Sequence, residues 1–193
     1  MFLEHFPSEN RKQGWIEVIC GSMFSGKTEE LIRRLKRAEF ANQKILLFKP
    51  ETDSRHAGKQ VKSHKGSVLE GEIIQKASEA IQRWNGERIV AFDEAQFFSE
   101  DLVDVCRELA KKGVRVICAG LDMDFQGNPF GPMPQLLSTA EYVTKVHAIC
   151  VRCGNLAYIS HRLVPATEQV LVGATEKYQP LCRSCYNLAN HLI

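Results

Sequence analysis

The stretch "ICGSMFSGKTEELIRRL", residues 19–35, carries Gly21, Gly26, Lys27 and Thr28 in the spacing G-x-x-x-x-G-K-T. It sits between an apolar run and a stretch with helical periodicity. Glycines at positions 21 and 26 allow backbone angles closed to other residues, so the N–H groups of Ser22, Met23, Phe24 and Ser25 can turn inward around a phosphate chain. The following helix adds the positive end of its dipole. Lys27 then reaches the outer phosphates as a point charge, and the Thr28 hydroxyl is the expected Mg²⁺ ligand. A phosphate loop placed this way, after a strand and before a helix, sets the expectation of a nucleotide-binding α/β fold.

The surrounding sequence fits that expectation. Trp15 to Cys20, Lys44 to Phe48, Arg88 to Phe92 and Val114 to Ala119 are nearly continuous apolar runs rich in β-branched residues. Such runs suit strands covered on both faces of a parallel sheet. Ser99 to Lys112 reads as a helix with Ser99 as cap, acids at its start, lysines at its end and Gly113 as terminator. The order of elements predicts a mainly parallel sheet flanked by helices. "DMDFQGNPFGPMPQ" is too punctuated by glycine and proline for a regular element and reads as a loop over a site.

Two adjacent acids close the run "RIVAFDEAQFF". Asp93 leaves a buried strand beside the phosphate loop, the position of a carboxylate that holds the metal. Glu94 follows it, and two neighbouring carboxylates can divide labour, one positioning Mg²⁺ and one accepting a proton. If the proton comes from water the protein is an ATPase; if it comes from an alcohol, a kinase. Asp53 and Arg55 follow the second strand and are expected at the same sheet edge, where Arg55 can neutralise a phosphoryl group in transit.

The chain of 193 residues has 44% hydrophobic and 25% charged residues and a formal net charge of +2. That balance supports a folded core and lacks the strongly basic character of a dedicated nucleic-acid binder. No segment approaches the roughly 18 apolar residues needed to span a bilayer, and the first residues lack the apolar centre of a signal peptide. A cytoplasmic protein with neither nucleic acid nor membrane as partner is expected.

The seven cysteines fall into two groups. Cys20, Cys106 and Cys118 stand singly in apolar runs and read as buried small hydrophobes. Cys150, Cys153, Cys182 and Cys185 form two C-x-x-C pairs, the spacing of a tetrahedral thiolate site for Zn²⁺. Four thiolates leave no open position for a reacting water, so this metal is expected to be structural. The domains expected are 1–147, binding the nucleotide, and 148–193, a small zinc-binding unit whose folding depends on the metal.

Taken in series, "GSMFSGKT", "DEAQFF", "LDMDFQGNPFG" and C-x-x-C, "VLVGATEKY", C-x-x-C resemble the type II, zinc-containing cytosolic thymidine kinases over nearly the whole chain. The resemblance implies a RecA-like P-loop domain with a ribbon-like zinc domain, and transfer of the γ-phosphoryl of ATP to the 5′-hydroxyl of thymidine or deoxyuridine. It places Glu94 as proton acceptor, Asp93 as metal-associated acid, and Lys27, Asp53 and Arg55 near the phosphates, with His56 where the family often has tyrosine. It also implies that Met23, Phe97, Leu121, Phe125, Phe130, Ser160 and Tyr178 line the nucleoside pocket, that Gln96 neighbours this pocket and belongs with the residues that bind the cofactor, and that Val170, Leu171, Val172 and Gly173 form a closing lasso loop. A homotetramer inhibited by the end product dTTP is likewise implied. Two other readings of the residues stand beside this one: a RecA-like ATPase whose zinc ribbon touches nucleic acid, and a nucleotide-dependent switch.

Overall fold

In the computed structural model of the protein, residues 13–51, 60–62, 68–164 and 176–191 are described. Strand β1 (Trp15–Cys20) leads into α1 (Lys27–Phe40), then β2 (Ile45–Pro50), a β3–β4 hairpin (Gln60–Lys62, Val68–Glu70) and β5 (Glu72–Ile74). Next come α2 (Glu79–Arg83), β6 (Ile89–Phe92), α3 (Leu102–Lys111), β7 (Arg115–Gly120), α4 (Met133–Thr139) and β8 (Tyr142–Lys145). The chain continues through β9 (Ala148–Ile149), β10 (Leu156–Ala157), β11 (Ile159–Arg162), β12 (Tyr178–Leu181) and α5 (Arg183–Ala189).

Six strands make one sheet in the order β5-β2-β6-β7-β1-β8, and every neighbouring pair in it is parallel. The continuous apolar runs are therefore explained as strands buried on both faces. Alternate residues divide between two cores. Ile16, Val18, Val90, Phe92, Val116 and Cys118 pack with α3 and α4, whereas Ile19, Ala91, Ile117 and Ala119 pack with Leu31, Ile32 and Leu35 of α1. The lone cysteines Cys20, Cys106 and Cys118 are buried as expected, at 1%, 0% and 0% exposure.

A buried charged group in β1 interrupts this pattern. Glu17 sits inside β1 with its side chain 1% exposed, facing α1. Arg34 of α1 meets it at 2.8 Å and Arg115 of β7 at 2.6 Å, and Trp15 Nε1 donates to it at 2.7 Å. Arg34 also donates to Glu30 at 2.9 Å and to Thr144 at 2.9 Å. Burying these charges is costly unless every one is paired, and the network ties α1, β1, β7 and β8 together.

Two local expectations need correction. Ser99 does not cap α3: the helix starts at Leu102 after a tight turn in which Leu102 N–H donates to the Ser99 carbonyl at 3.1 Å, and the Ser99 hydroxyl turns to Asp101 instead. Its C-terminus closes as read, because Gly113 has φ 87 and Val114 N–H reaches back to the Leu109 carbonyl at 3.1 Å, a Schellman closure. The Gly/Pro-rich stretch is likewise not all loop. Its last residues, Met133, Pro134 and Gln135, are the first turn of α4, with Pro132 at the N-cap position, since proline is tolerated at the start of a helix.

Candidate active site

The sheet delivers the phosphate loop from the C-terminal end of β1. Gly21 has φ 143, and a Cβ there would lie 2.0 Å from the Val146 carbonyl oxygen, so only glycine lets the loop turn against the segment after β8. Val146 N–H donates to the Cys20 carbonyl at 2.8 Å. An ion pair of Lys145 with Asp122, 2.7 Å, joins the ends of β8 and β7 across β1. The Cys20 thiol between them is pushed up to about 11, mainly by burial and then by Asp122, with Lys145 and Lys27 opposing. It stays protonated and is no nucleophile.

Within the loop Lys27 Nζ and Ser25 Oγ both donate to the Ser22 carbonyl, at 2.8 and 2.7 Å. Thr28 begins the second position of α1, and its Oγ1 lies 3.4 and 3.5 Å from the two carboxylate oxygens of Asp93. Asp93 is 6% exposed, with its N–H donating to the Phe48 carbonyl at 2.9 Å. The sequence reading thus brings loop and acid together as expected. A hydroxyl facing a buried carboxylate beside a phosphate loop is a hard-oxygen pair suited to Mg²⁺.

Glu94 is the first residue past Asp93 and adopts φ 51, ψ 43. A left-handed conformation at a residue other than glycine costs on the order of 1–3 kcal/mol and persists only where the surroundings over-determine it. The surroundings are visible. Gln96, 2% exposed, donates from Nε2 to Glu94 Oε2 at 2.6 Å and accepts at Oε1 from Leu121 N–H at 2.9 Å. Gly131, φ 49, lies against the Gln96 backbone, where a Cβ would meet the carbonyl oxygen at 2.3 Å. The carboxylate is therefore aimed by Gln96, and Gln96 by the end of β7 and by Gly131. Sequence reasoning carried Gln96 as a pocket neighbour and cofactor-binding residue without this aiming role, and missed Gly131, whose signal was its place in the tight "PFGP" turn.

The expected pocket residues meet in small groups. Phe97 and Phe130 stand edge to face with centroids 5.7 Å apart. Met23 N–H donates to Ser160 Oγ at 2.8 Å. Phe125 and Tyr178 flank the guanidinium of Arg162, its carbon 3.6 and 5.5 Å from the two ring centroids. Arg162 is buried at 7% exposure and does not face solvent. Asp53, Arg55, His56 and the lasso residues Val170, Leu171, Val172 and Gly173 lie outside the described residues.

The four paired cysteines converge as their spacing predicts. The Sγ atoms of Cys150, Cys153, Cys182 and Cys185 lie within 4.8 Å of one another. Tight turns hold them: Gly154 N–H donates to the Cys150 carbonyl at 2.9 Å, Cys150 N–H to the Asn155 carbonyl at 2.7 Å, and Cys185 N–H to Cys182 Sγ at 3.5 Å. Four soft thiolates at this separation fit tetrahedral Zn²⁺ with bonds of about 2.3 Å, and an N–H aimed at a ligating sulfur is the outer-shell support such sites use. Antiparallel pairs β9–β10 and β11–β12 form the ribbon around them, with Ala157, Ile159 and Leu181 as its core.

The thymidine kinase family model matches residues 14–186. The thymidine kinase of Bacteroides thetaiotaomicron is 55% identical over 186 residues, covering 96% of this chain and 94% of that protein. That of Porphyromonas gingivalis is 49% identical over 184 residues, covering 95% and 90%. Among solved structures, the Legionella pneumophila ATPase DotB superposes with a TM-score of 0.40 at 15% identity over 66% of this chain and 34% of that one, a likeness too slight to bear on function. With a match of this extent joined to a phosphate loop, an aimed carboxylate and a four-cysteine ribbon, the chain belongs to the thymidine kinase family.

Proposed function

We propose that this protein transfers the γ-phosphoryl of ATP to the 5′-hydroxyl of thymidine, or of deoxyuridine, giving the nucleoside monophosphate and ADP. The observation that carries the reading is the pinned Glu94 carboxylate, bonded to Gln96 at 2.6 Å and next in the chain to the Asp93 that faces Thr28. A general base must be held in place before its pKa matters. Family membership selects the alcohol over water as the group that gives up the proton.

In this reading the loop N–H groups from Gly21 to Gly26 and the Lys27 ammonium bind the β- and γ-phosphates. Thr28 and Asp93 hold Mg²⁺, which when bound neutralises charge on the phosphates. Glu94 takes the proton of the 5′-hydroxyl as its oxygen forms a bond to the γ-phosphorus and the bond to the bridging oxygen of ADP breaks. Asp53 and Arg55 act at the phosphates, with Arg55 countering charge on the group in transit. Met23, Phe97, Leu121, Phe125, Phe130, Ser160 and Tyr178 enclose base and sugar, and Val170 to Gly173 close over the base.

Residues 1–147 form the nucleotide domain and 148–193 the zinc domain in this reading. Cys150, Cys153, Cys182 and Cys185 hold a structural Zn²⁺ that supports folding of the ribbon. We place the protein in the cytoplasm as a homotetramer working in deoxynucleotide salvage for DNA synthesis, with dTTP as feedback inhibitor. No helix among the described residues is long and apolar enough to cross a membrane.

The test is incubation of the purified protein with γ-labelled ATP, Mg²⁺ and a panel of nucleosides. Label is expected in the monophosphates of thymidine and deoxyuridine. Label found only in inorganic phosphate contradicts the reading.

A further inference from the structure

Strand β11 presents Ser160 and Arg162 on one face, because alternate residues of a strand point the same way. Both are buried, at 4% and 7% exposure; Ser160 meets the phosphate loop after β1, and Arg162 meets the loop after β7 while standing opposite Tyr178 in the β11–β12 pair. Ser160 accepts from the Met23 backbone N–H at 2.8 Å. The Arg162 guanidinium carbon lies 3.6 Å from the centroid of the Phe125 ring and 5.5 Å from that of Tyr178, and its Nη2 donates to the Tyr178 hydroxyl at 3.1 Å. Phe125 belongs to the loop after β7 and Tyr178 opens β12, so one side chain joins walls that come from different parts of the chain. Tyr186 of α5 holds the same loop by its backbone, its hydroxyl donating to the Phe125 carbonyl at 3.3 Å.

A planar cation suits this place in a way that an ammonium does not. Guanidinium can stack its face on one ring while donating in its own plane to the hydroxyl of another, whereas lysine offers a compact point charge. Desolvated contacts of this kind shift an equilibrium by roughly tenfold or more. We infer that Arg162 is a positioning residue for the nucleoside: it sets the spacing and tilt of Phe125 and Tyr178, and through β11 it ties the pocket to the zinc ribbon. This rests on the reading above, in which those two rings enclose the base. Arg162 itself touches no reacting atom, so its loss acts on nucleoside affinity rather than on the chemical step.

The experiment measures kcat and KM for both substrates in full-length Arg162→Met and Arg162→Lys, with zinc content and Tm determined alongside. Arg162→Met is expected to raise the thymidine KM about tenfold, with kcat and the ATP KM within about twofold of the parent. Arg162→Lys keeps the buried charge, so it remains informative where methionine prevents folding, and it is expected to recover only part of the affinity. A thymidine KM unchanged in the lysine variant overturns the inference, as does a parallel fall of kcat, both affinities, zinc content and Tm, which marks a merely structural role. In either case a parent that phosphorylates thymidine leaves the functional reading standing; a parent that turns over no thymidine overturns that reading and the inference with it.

Discussion

At the scale of single residues, the proposed chemistry depends on Glu94 being aimed rather than merely present. Its left-handed backbone and its 2.6 Å bond to Gln96 point the carboxylate in one direction. Replacing Glu94 by Gln keeps the shape and removes the base, so kcat is expected to fall at least about a hundredfold with ATP affinity nearly intact, as general-base assistance acts in the transition state. Steady-state kinetics beside an ATP-binding titration checks this; unchanged turnover refutes the role. Gly131→Ala tests the support behind it. A Cβ 2.3 Å from the Gln96 carbonyl oxygen must displace Gln96, and a misplaced catalytic group costs on the order of a hundredfold, so a loss of kcat is expected in protein that still folds, with Tm lowered by the left-handed backbone that alanine must adopt at φ 49. Gln96 was legible as a member of the site and Gly131 as part of a turn; the contact between them was not, because they lie far apart in the chain and no local pattern encodes it.

At the scale of elements, what was legible follows from burial. The central strands β1, β2, β6 and β7 are covered on both faces, which leaves unbroken apolar runs that could be read to within a few residues. Edge strands carry no such signature: β8 exposes Val143 at 48% and passed unread. The start of α4 hid behind the Gly131-Pro132 punctuation, and Ser99 looked like a cap because residue type says nothing of the turn that precedes a helix. Glu17 was equally opaque, since a buried acid shows itself only once Arg34 and Arg115 are seen beside it. Removing it takes the shared carboxylate from two buried cations, of which Arg34 keeps Glu30, and Glu17→Ala is expected to cost about 3 kcal/mol, read as a shift in the urea midpoint at constant slope. A cost below about 0.5 kcal/mol, the range of an ordinary surface change, contradicts the picture of a closed network.

At the scale of the whole molecule, the ribbon meets the phosphate loop and the loop after β7 through Met23 with Ser160, Phe24 with the ribbon core, and Phe125 with Arg162 and Tyr186. The four-cysteine cluster was readable from spacing alone, because C-x-x-C turns are local. What the cluster positions was not, since β11 and its partners are brought to the phosphate loop only by the tertiary fold. Cys153→Ser, or stripping the metal with a chelator, is therefore expected to loosen the ribbon and weaken thymidine binding by at least about tenfold more than ATP binding. Parallel titrations of the two ligands, with metal content measured on the same samples, give the comparison. Full thymidine affinity in metal-free protein contradicts it.

The central proposal is that a carboxylate fixed at position 94 takes its proton from an alcohol rather than from water. The most direct measurement follows γ-label from ATP into dTMP and into inorganic phosphate in the same sample, with and without thymidine, for the parent and Glu94→Gln. The account predicts that thymidine draws nearly all label into dTMP in the parent and that this transfer collapses in the variant. Equal release of label to water with and without thymidine, in a parent that makes no dTMP, would contradict it.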